Sequence, residues 1–82
     1  MATVTLFSRP GCHLCDDARA ILKTVRASHP FDLQERDIEA DDATFKAYLE
    51  RIPVVVLDGR ELYELFVDPD DLRGRLAARR PE

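Results

Sequence analysis

The sequence predicts an α/β protein in which a mixed four-stranded sheet is flanked by helices, in the order β-α-β-α-β-β-α. Three observations carry this reading. Short apolar, β-branched runs alternate with longer segments whose apolar residues recur at helical spacing. A helix joins the first two strands, so these should lie parallel through a right-handed crossover. An Asp58-Gly59 pair separates the last two strand-like runs and marks a tight antiparallel hairpin. One such sheet, with helices packed on it, buries every apolar face the chain offers.

Thr3 to Phe7 (TVTLF) is rich in β-branched and aromatic residues and forms the first strand. Pro10 and Gly11 mark the loop Ser8 to Gly11. Leu14, Ala18, Ile21, Leu22 and Val25 then trace an amphipathic helix from about Cys12 to Ala27. Ser28-His29-Pro30 ends it, because a proline disfavours helical geometry at the residue before it. Phe31 to Ile38 is the second strand. Glu35 and Asp37 interrupt its alternation, which fits a position near a sheet edge. Asp41-Asp42 supply a cap for a second helix, whose stripe is Phe45, Tyr48, Leu49 and Ile52 and which Pro53 stops. Pro53 to Leu57 is the third strand, with proline at the first residue, where a missing N–H is tolerated. Glu61 to Phe66 is the return strand. Asp68 at the N-cap, Pro69 at N1 and Asp71 at N3 announce the last helix as a capping box, with Val67 and Leu72 as a hydrophobic staple. Arg73, Arg75, Arg79 and Arg80 suit the C-terminal end of its dipole. Phe45, Tyr48 and Phe66 read as core, and Glu39, Asp41 and Asp42 as a solvated cap.

The 82 residues suffice for a single domain spanning the chain. A 45% hydrophobic and 34% charged composition is that of a soluble globular protein. The net charge of -4 offers no basic field to nucleic acid. The N-terminus has no signal-peptide pattern, and Val54 to Leu57, the longest aliphatic run, is far short of a membrane span. A cytoplasmic monomer that engages neither nucleic acid nor membrane is the expectation. In that compartment two cysteines are seldom a permanent staple.

Both cysteines, Cys12 and Cys15, fall in SRPGCHLCDD at the junction of the first strand and the first helix. Residues three apart on a helix face one side with Cβ atoms about 5–6 Å apart. A disulfide needs about 3.5–4.5 Å, so a small adjustment of the first turn interconverts dithiol and disulfide. Free N–H groups at a helix start favour a thiolate at Cys12. The dipole contributes about 0.3–1 kcal/mol, against about 1.4 kcal/mol per pKa unit. Arg9, His13 and a hydrogen bond from the Cys15 thiol add to it, while Asp16 and Asp17 oppose it. The net expectation is a moderately lowered Cys12 pKa, with Cys15, inside the first turn, as the resolving thiol. Two other readings stand beside this one. Zinc requires four ligands, and only His13 and the distant His29 are available besides the cysteines. An inert buried pair is the other. A C-x-x-C beside a βαβ pattern favours redox chemistry over both.

The loop before the third strand should lie beside the start of the first helix. A cis Ile52-Pro53 bond there would present the backbone of Ile52 to an extended thiol substrate, whereas a trans proline would merely open the strand. Arg9 either tunes the thiolate, binds a carboxylate or is a solvated loop residue. His13 reads as an exposed modulator of the couple, and His29 as a loop residue.

With TVTLFSRPGCHLC, the helix after it, RIPVVVLDG and DPDDL in view, the chain resembles the glutaredoxin-like branch of the thioredoxin fold over nearly its whole length. The resemblance implies a thioredoxin-like fold and a thiol–disulfide oxidoreductase acting on protein or small-thiol mixed disulfides. It implies Cys12 as nucleophile, Cys15 as resolving thiol, Pro53 as the cis proline, Arg9 as a glutathione contact and Asp70 as a partner for that ligand's amino group. A potential of about -200 to -230 mV goes with it. No tightly bound cofactor is implied. Glutathione or another low-molecular-weight thiol is the implied ligand, and a thiol or a reductase the electron donor. Three departures bear on this. His13-Leu14 replaces Pro-Tyr, Arg51-Ile52-Pro53 replaces Thr-Val-Pro, and Val67-Asp68 replaces the Gly-Gly that lets glutathione approach the backbone. The cradle is therefore incomplete. Alternative functions are an iron–sulfur or metal-binding module and a redox-inactive thioredoxin-fold adaptor.

Overall fold

The computed structural model describes residues 2–78. Strands β1 (Thr3–Ser8), β2 (Asp32–Asp37), β3 (Val54–Leu57) and β4 (Arg60–Glu64) form one sheet in the order β2-β1-β3-β4. β1 runs parallel to β2 and antiparallel to β3, and β3 and β4 form the hairpin. The helices are α1 (His13–Ser28), α2 (Asp42–Tyr48) and α3 (Pro69–Ala78), with a 3₁₀ turn at Ile38–Ala40. The predicted order and mixed sheet are those observed, and β2 takes an edge.

Period-two alternation divides the core between the two faces of the sheet. Val4, Leu6, Val55 and Leu57 point to one side, where Ala18, Leu22 and Val25 of α1 and Leu72 of α3 meet them. Val54, with Phe7 and Val56 partly buried, points to the other, against Ile38, Ile52, Phe45 and Tyr48. Cys12 and Cys15 belong to this second cluster, although most of α1 packs on the first. The start of α1 therefore bridges the two halves of the core.

The hairpin turn has Asp58 at φ 49° and Gly59 at φ 85°, the left-handed pair that Asp-Gly favours. Asp58 also fastens the turn to β1 by accepting the Thr3 N–H at 2.8 Å. At α3, Asp68 accepts the Asp71 N–H at 3.0 Å, and the staple residues Val67 and Leu72 are both buried.

Four expectations need correction. Leu14 lies on the exposed side of α1, and buried Cys15 takes its place in the stripe. α2 ends at Tyr48, well before Pro53, and the following turn carries Ile52 back into the core. Asp71 does not complete a capping box. Its carboxylate turns instead to the Tyr63 hydroxyl at 2.5 Å and to Arg75 at 2.8 Å. Phe66 is 67% exposed rather than core, because β4 stops at Glu64 and Leu65 takes a left-handed φ of 71° that turns the chain out of the sheet. Phe45 and Tyr48 are partly buried. Arg79 and Arg80 lie outside the described residues.

Leu22 is fully buried between α1 and the sheet. Leu22→Ala should cost about 2–5 kcal/mol in urea unfolding, the range for a buried leucine truncated to alanine. Phe66→Ser should change stability by less than about 0.5 kcal/mol, because its ring already meets solvent.

Candidate active site

The site forms where β1 hands the chain to α1. Gly11, at φ 78°, supplies the left-handed step that bends the loop toward the helix. Cys12 follows as the N-cap, in extended geometry. That position is usually filled by a side-chain oxygen, which accepts a first-turn N–H. Here the acceptor is sulfur: Cys12 Sγ receives the Cys15 N–H at 3.1 Å, and Cys12 O receives the Asp16 N–H at 3.1 Å. The two cysteines are joined as a disulfide, with their Cα atoms 5.2 Å apart. Cys15 is fully buried, while Cys12 remains partly exposed.

Ile52 and Pro53 form the opposing wall. Both are buried, and Ile52 shares the hydrophobic cluster of the sulfurs. The Ile52–Pro53 peptide is cis. The segment is tied to the end of β4, since the Leu65 N–H donates to Pro53 O at 2.8 Å and to Arg51 O at 3.1 Å. Phe7 and Tyr48 stack in the same cluster with ring centroids 4.7 Å apart.

Charge around this wall is settled within the chain. Arg9 pairs with Glu39 at 2.8 Å and lies 5.5 Å from the Phe45 ring centre. Its carboxylate partner is thus Glu39, on the 3₁₀ turn that follows β2, so Glu39 serves as more than a solvated cap residue. Arg51 meets both Glu61 at 2.9 Å and Glu64 at 2.6 Å, with its guanidinium 5.1 Å from the Tyr48 ring centre. His13 is exposed on the first turn of α1. Asp70 is exposed at the start of α3 and pairs with Arg73 at 3.1 Å. The structure therefore groups Cys12, Cys15 and Ile52 in one cluster, with Pro53 next in the chain, and places Asp70 on the surface of α3.

A second network escaped the sequence reading. Glu35 on β2 accepts Arg19 of α1 at 2.7 and 2.6 Å and the hydroxyl of buried Ser8 at 3.0 Å. Arg19 also reaches Asp16 at 2.7 Å. This network ties the end of β1, the edge strand and the first turns of α1 together, immediately behind the cysteine loop. The only sequence signal was Glu35 itself, which broke the alternation of its strand. Arg51 left no signal beyond standing before Ile52-Pro53. Among the described residues, no three His, Cys, Asp or Glu side chains converge to hold a metal ion, and no helix is long and apolar enough to cross a membrane.

The family model described as "Glutaredoxin-like domain (DUF836)" matches residues 3–77. A glutaredoxin-like protein of Dictyostelium discoideum is 29% identical, over 84% of this chain and 69% of its own. An X-ray structure of a protein from X. campestris superposes with a TM-score of 0.76 at 36% identity, covering 94% of this chain and 99% of that one. The structure of a mutant thioredoxin from Halobacterium salinarum, at 21% identity and TM-score 0.68, covers 94% of this chain and 73% of that one and shares the fold alone.

Hydrogen bonds from Arg19 hold the Glu35 carboxyl below its ordinary value of 4.5, with Ser8 acting in the same direction and burial opposing them. A carboxylate depressed in the folded state stabilises above its unfolded pKa, and the effect is lost as pH falls through the folded value. Glu35→Gln should therefore cost about 1 kcal/mol or less near pH 7, since the pair is partly exposed. The difference from wild type should shrink below about pH 4.5, as followed by urea unfolding across that range.

Proposed function

The chain belongs to the glutaredoxin-like (DUF836) family, and from that membership we propose that it is a thiol–disulfide oxidoreductase that reduces disulfides through Cys12 and Cys15. One observation carries the reading: a partly exposed cysteine occupies the N-cap of α1, its sulfur within reach of a first-turn N–H, with a buried second cysteine bonded behind it.

In the reduced protein the Cys15 N–H that now meets Cys12 Sγ would stabilise negative charge on that sulfur. The Cys12 thiolate attacks one sulfur of a substrate disulfide. A mixed disulfide forms, and the first substrate thiolate leaves and takes up a proton. Cys15 then loses its proton and attacks Cys12 Sγ, which breaks the mixed disulfide and releases the second substrate thiolate. Two electrons pass to the substrate, and the Cys12–Cys15 disulfide remains. An external thiol or a reductase returns the two electrons. The chemistry requires no tightly bound cofactor, and a reducing cytoplasm would sustain it. Pro53 and Ile52 form the wall against which an extended substrate would lie.

Two variants test this reading. Cys12→Ser should abolish disulfide reduction, with turnover at the level of the uncatalysed reaction. Cys15→Ser should retain the first step and accumulate a mixed disulfide with substrate, seen as a mass adduct on Cys12. Wild-type turnover no faster than that of Cys12→Ser, both at the uncatalysed rate, would assign the protein to the adaptor class.

A further inference from the structure

Large apolar side chains stand in solvent on the cysteine turn and on the segment tied to the Ile52–Pro53 wall. Leu14 lies between the two cysteines and is 54% exposed. Leu65 and Phe66, exposed by 48% and 67%, follow β4 and are held to the Ile52–Pro53 wall through the Leu65 N–H on Pro53 O. Leu65 is left-handed at φ 71°, a conformation that residues other than glycine rarely adopt. Glycine is the usual occupant of such a position, yet leucine stands there, and the turn leaves Phe66 facing solvent.

Charge points the same way. The guanidinium groups of Arg9 and Arg51, which lie over Phe45 and Tyr48 of the same cluster, are already occupied, Arg9 by Glu39 and Arg51 by Glu61 and Glu64. One cation facing two carboxylates leaves net negative charge beside Ile52–Pro53. Asp68, two residues beyond Phe66, adds another carboxylate at the start of α3. An anionic tripeptide thiol such as glutathione would meet like charge here and find no unpaired guanidinium in Arg9 or Arg51. A protein segment with apolar and basic side chains would meet the complementary surface.

We propose that the physiological disulfide belongs to a protein chain in which the oxidised cysteine is flanked by apolar residues and a basic residue, with Leu14, Leu65 and Phe66 as the surface that receives it. This rests on the thiol–disulfide exchange reading above, because the docked sulfur must meet Cys12. Recognition is expressed before chemistry, so it governs KM more than kcat.

The test compares three disulfides: a peptide with Leu and Lys beside its cysteine, the same peptide with Ser and Glu there, each linked to a reporter thiol, and hydroxyethyl disulfide. Wild type should prefer the Leu/Lys peptide over the Ser/Glu peptide by roughly tenfold or more in kcat/KM, the scale of covering one or two part-exposed apolar side chains. Added salt should reduce the part of that preference due to lysine. The double variant L14S/F66S should lose the preference, leaving the two peptides within about twofold, with the change in KM. Equal use of both peptides by wild type, or an equal fall on all three substrates in the variant, would overturn the proposal. Reduction of hydroxyethyl disulfide without peptide preference would sink the docking surface alone. Failure of wild type on every disulfide would remove the exchange reading, and the docking surface with it.

Discussion

The site depends on a single contact, the amide of Cys15 directed at the sulfur of Cys12 across the first turn of α1. Every helix begins with N–H groups that lack an intrahelical partner, and most proteins satisfy one of them with a side-chain oxygen at the cap. In this chain the cap is also the sulfur that carries the proposed reaction. Gly11 and the end of β1 bring Cys12 to that position, and the buried side chain of Cys15 fixes the helix against the second core cluster. The cap therefore joins folding to chemistry, because one backbone supports the helix start and holds the sulfurs at bonding separation.

The rest of the structure holds this contact in place. The parallel β1–α1–β2 unit sets α1 over one face of the sheet, and the Arg19–Glu35–Ser8 network secures its first turns to the edge strand. Ile52 and Pro53 close the other side, and the end of β4 is hydrogen-bonded to them. Arg9, which sequence alone leaves free for ligand binding, is engaged by Glu39, and Arg51 by Glu61 and Glu64. Leu65 is hydrogen-bonded to the same wall, and it, Phe66 and Leu14 of the cysteine turn stand in solvent. Polar grip and apolar surface are thus apportioned differently from what Arg9 and Asp70 imply when read singly.

Features governed by local rules were legible in the sequence. The β-branched runs became strands, Asp-Gly became the left-handed turn, and Asp68 capped α3. The cysteine pair fell at a helix start because Pro-Gly precedes it and the apolar stripe follows it. Features decided by tertiary competition were less legible. Leu14 fits the helical stripe by spacing, but Cys15 is nearer the centre of the buried face and takes the place. Phe66 continues the alternation of its strand, yet the left-handed Leu65 breaks the register, and no residue type announces a left-handed leucine. Asp71 matches a capping box, but the Tyr63 hydroxyl from β4 and Arg75 one turn on compete successfully for its carboxylate. Salt bridges between elements, such as Arg51 with Glu61 and Glu64, depend on the hairpin's placement and leave no local pattern.

The most direct measurement of the central claim is the rate at which each cysteine of the reduced protein is alkylated as a function of pH, resolved by mass spectrometry of the two labelled sites. With the helix-start amide favouring its thiolate, Cys12 should react faster than Cys15 at neutral pH, and its rate should level off below the value near 8.5 of a free cysteine. Equal rates at the two positions, or a Cys12 that titrates like an unperturbed thiol, would contradict the account.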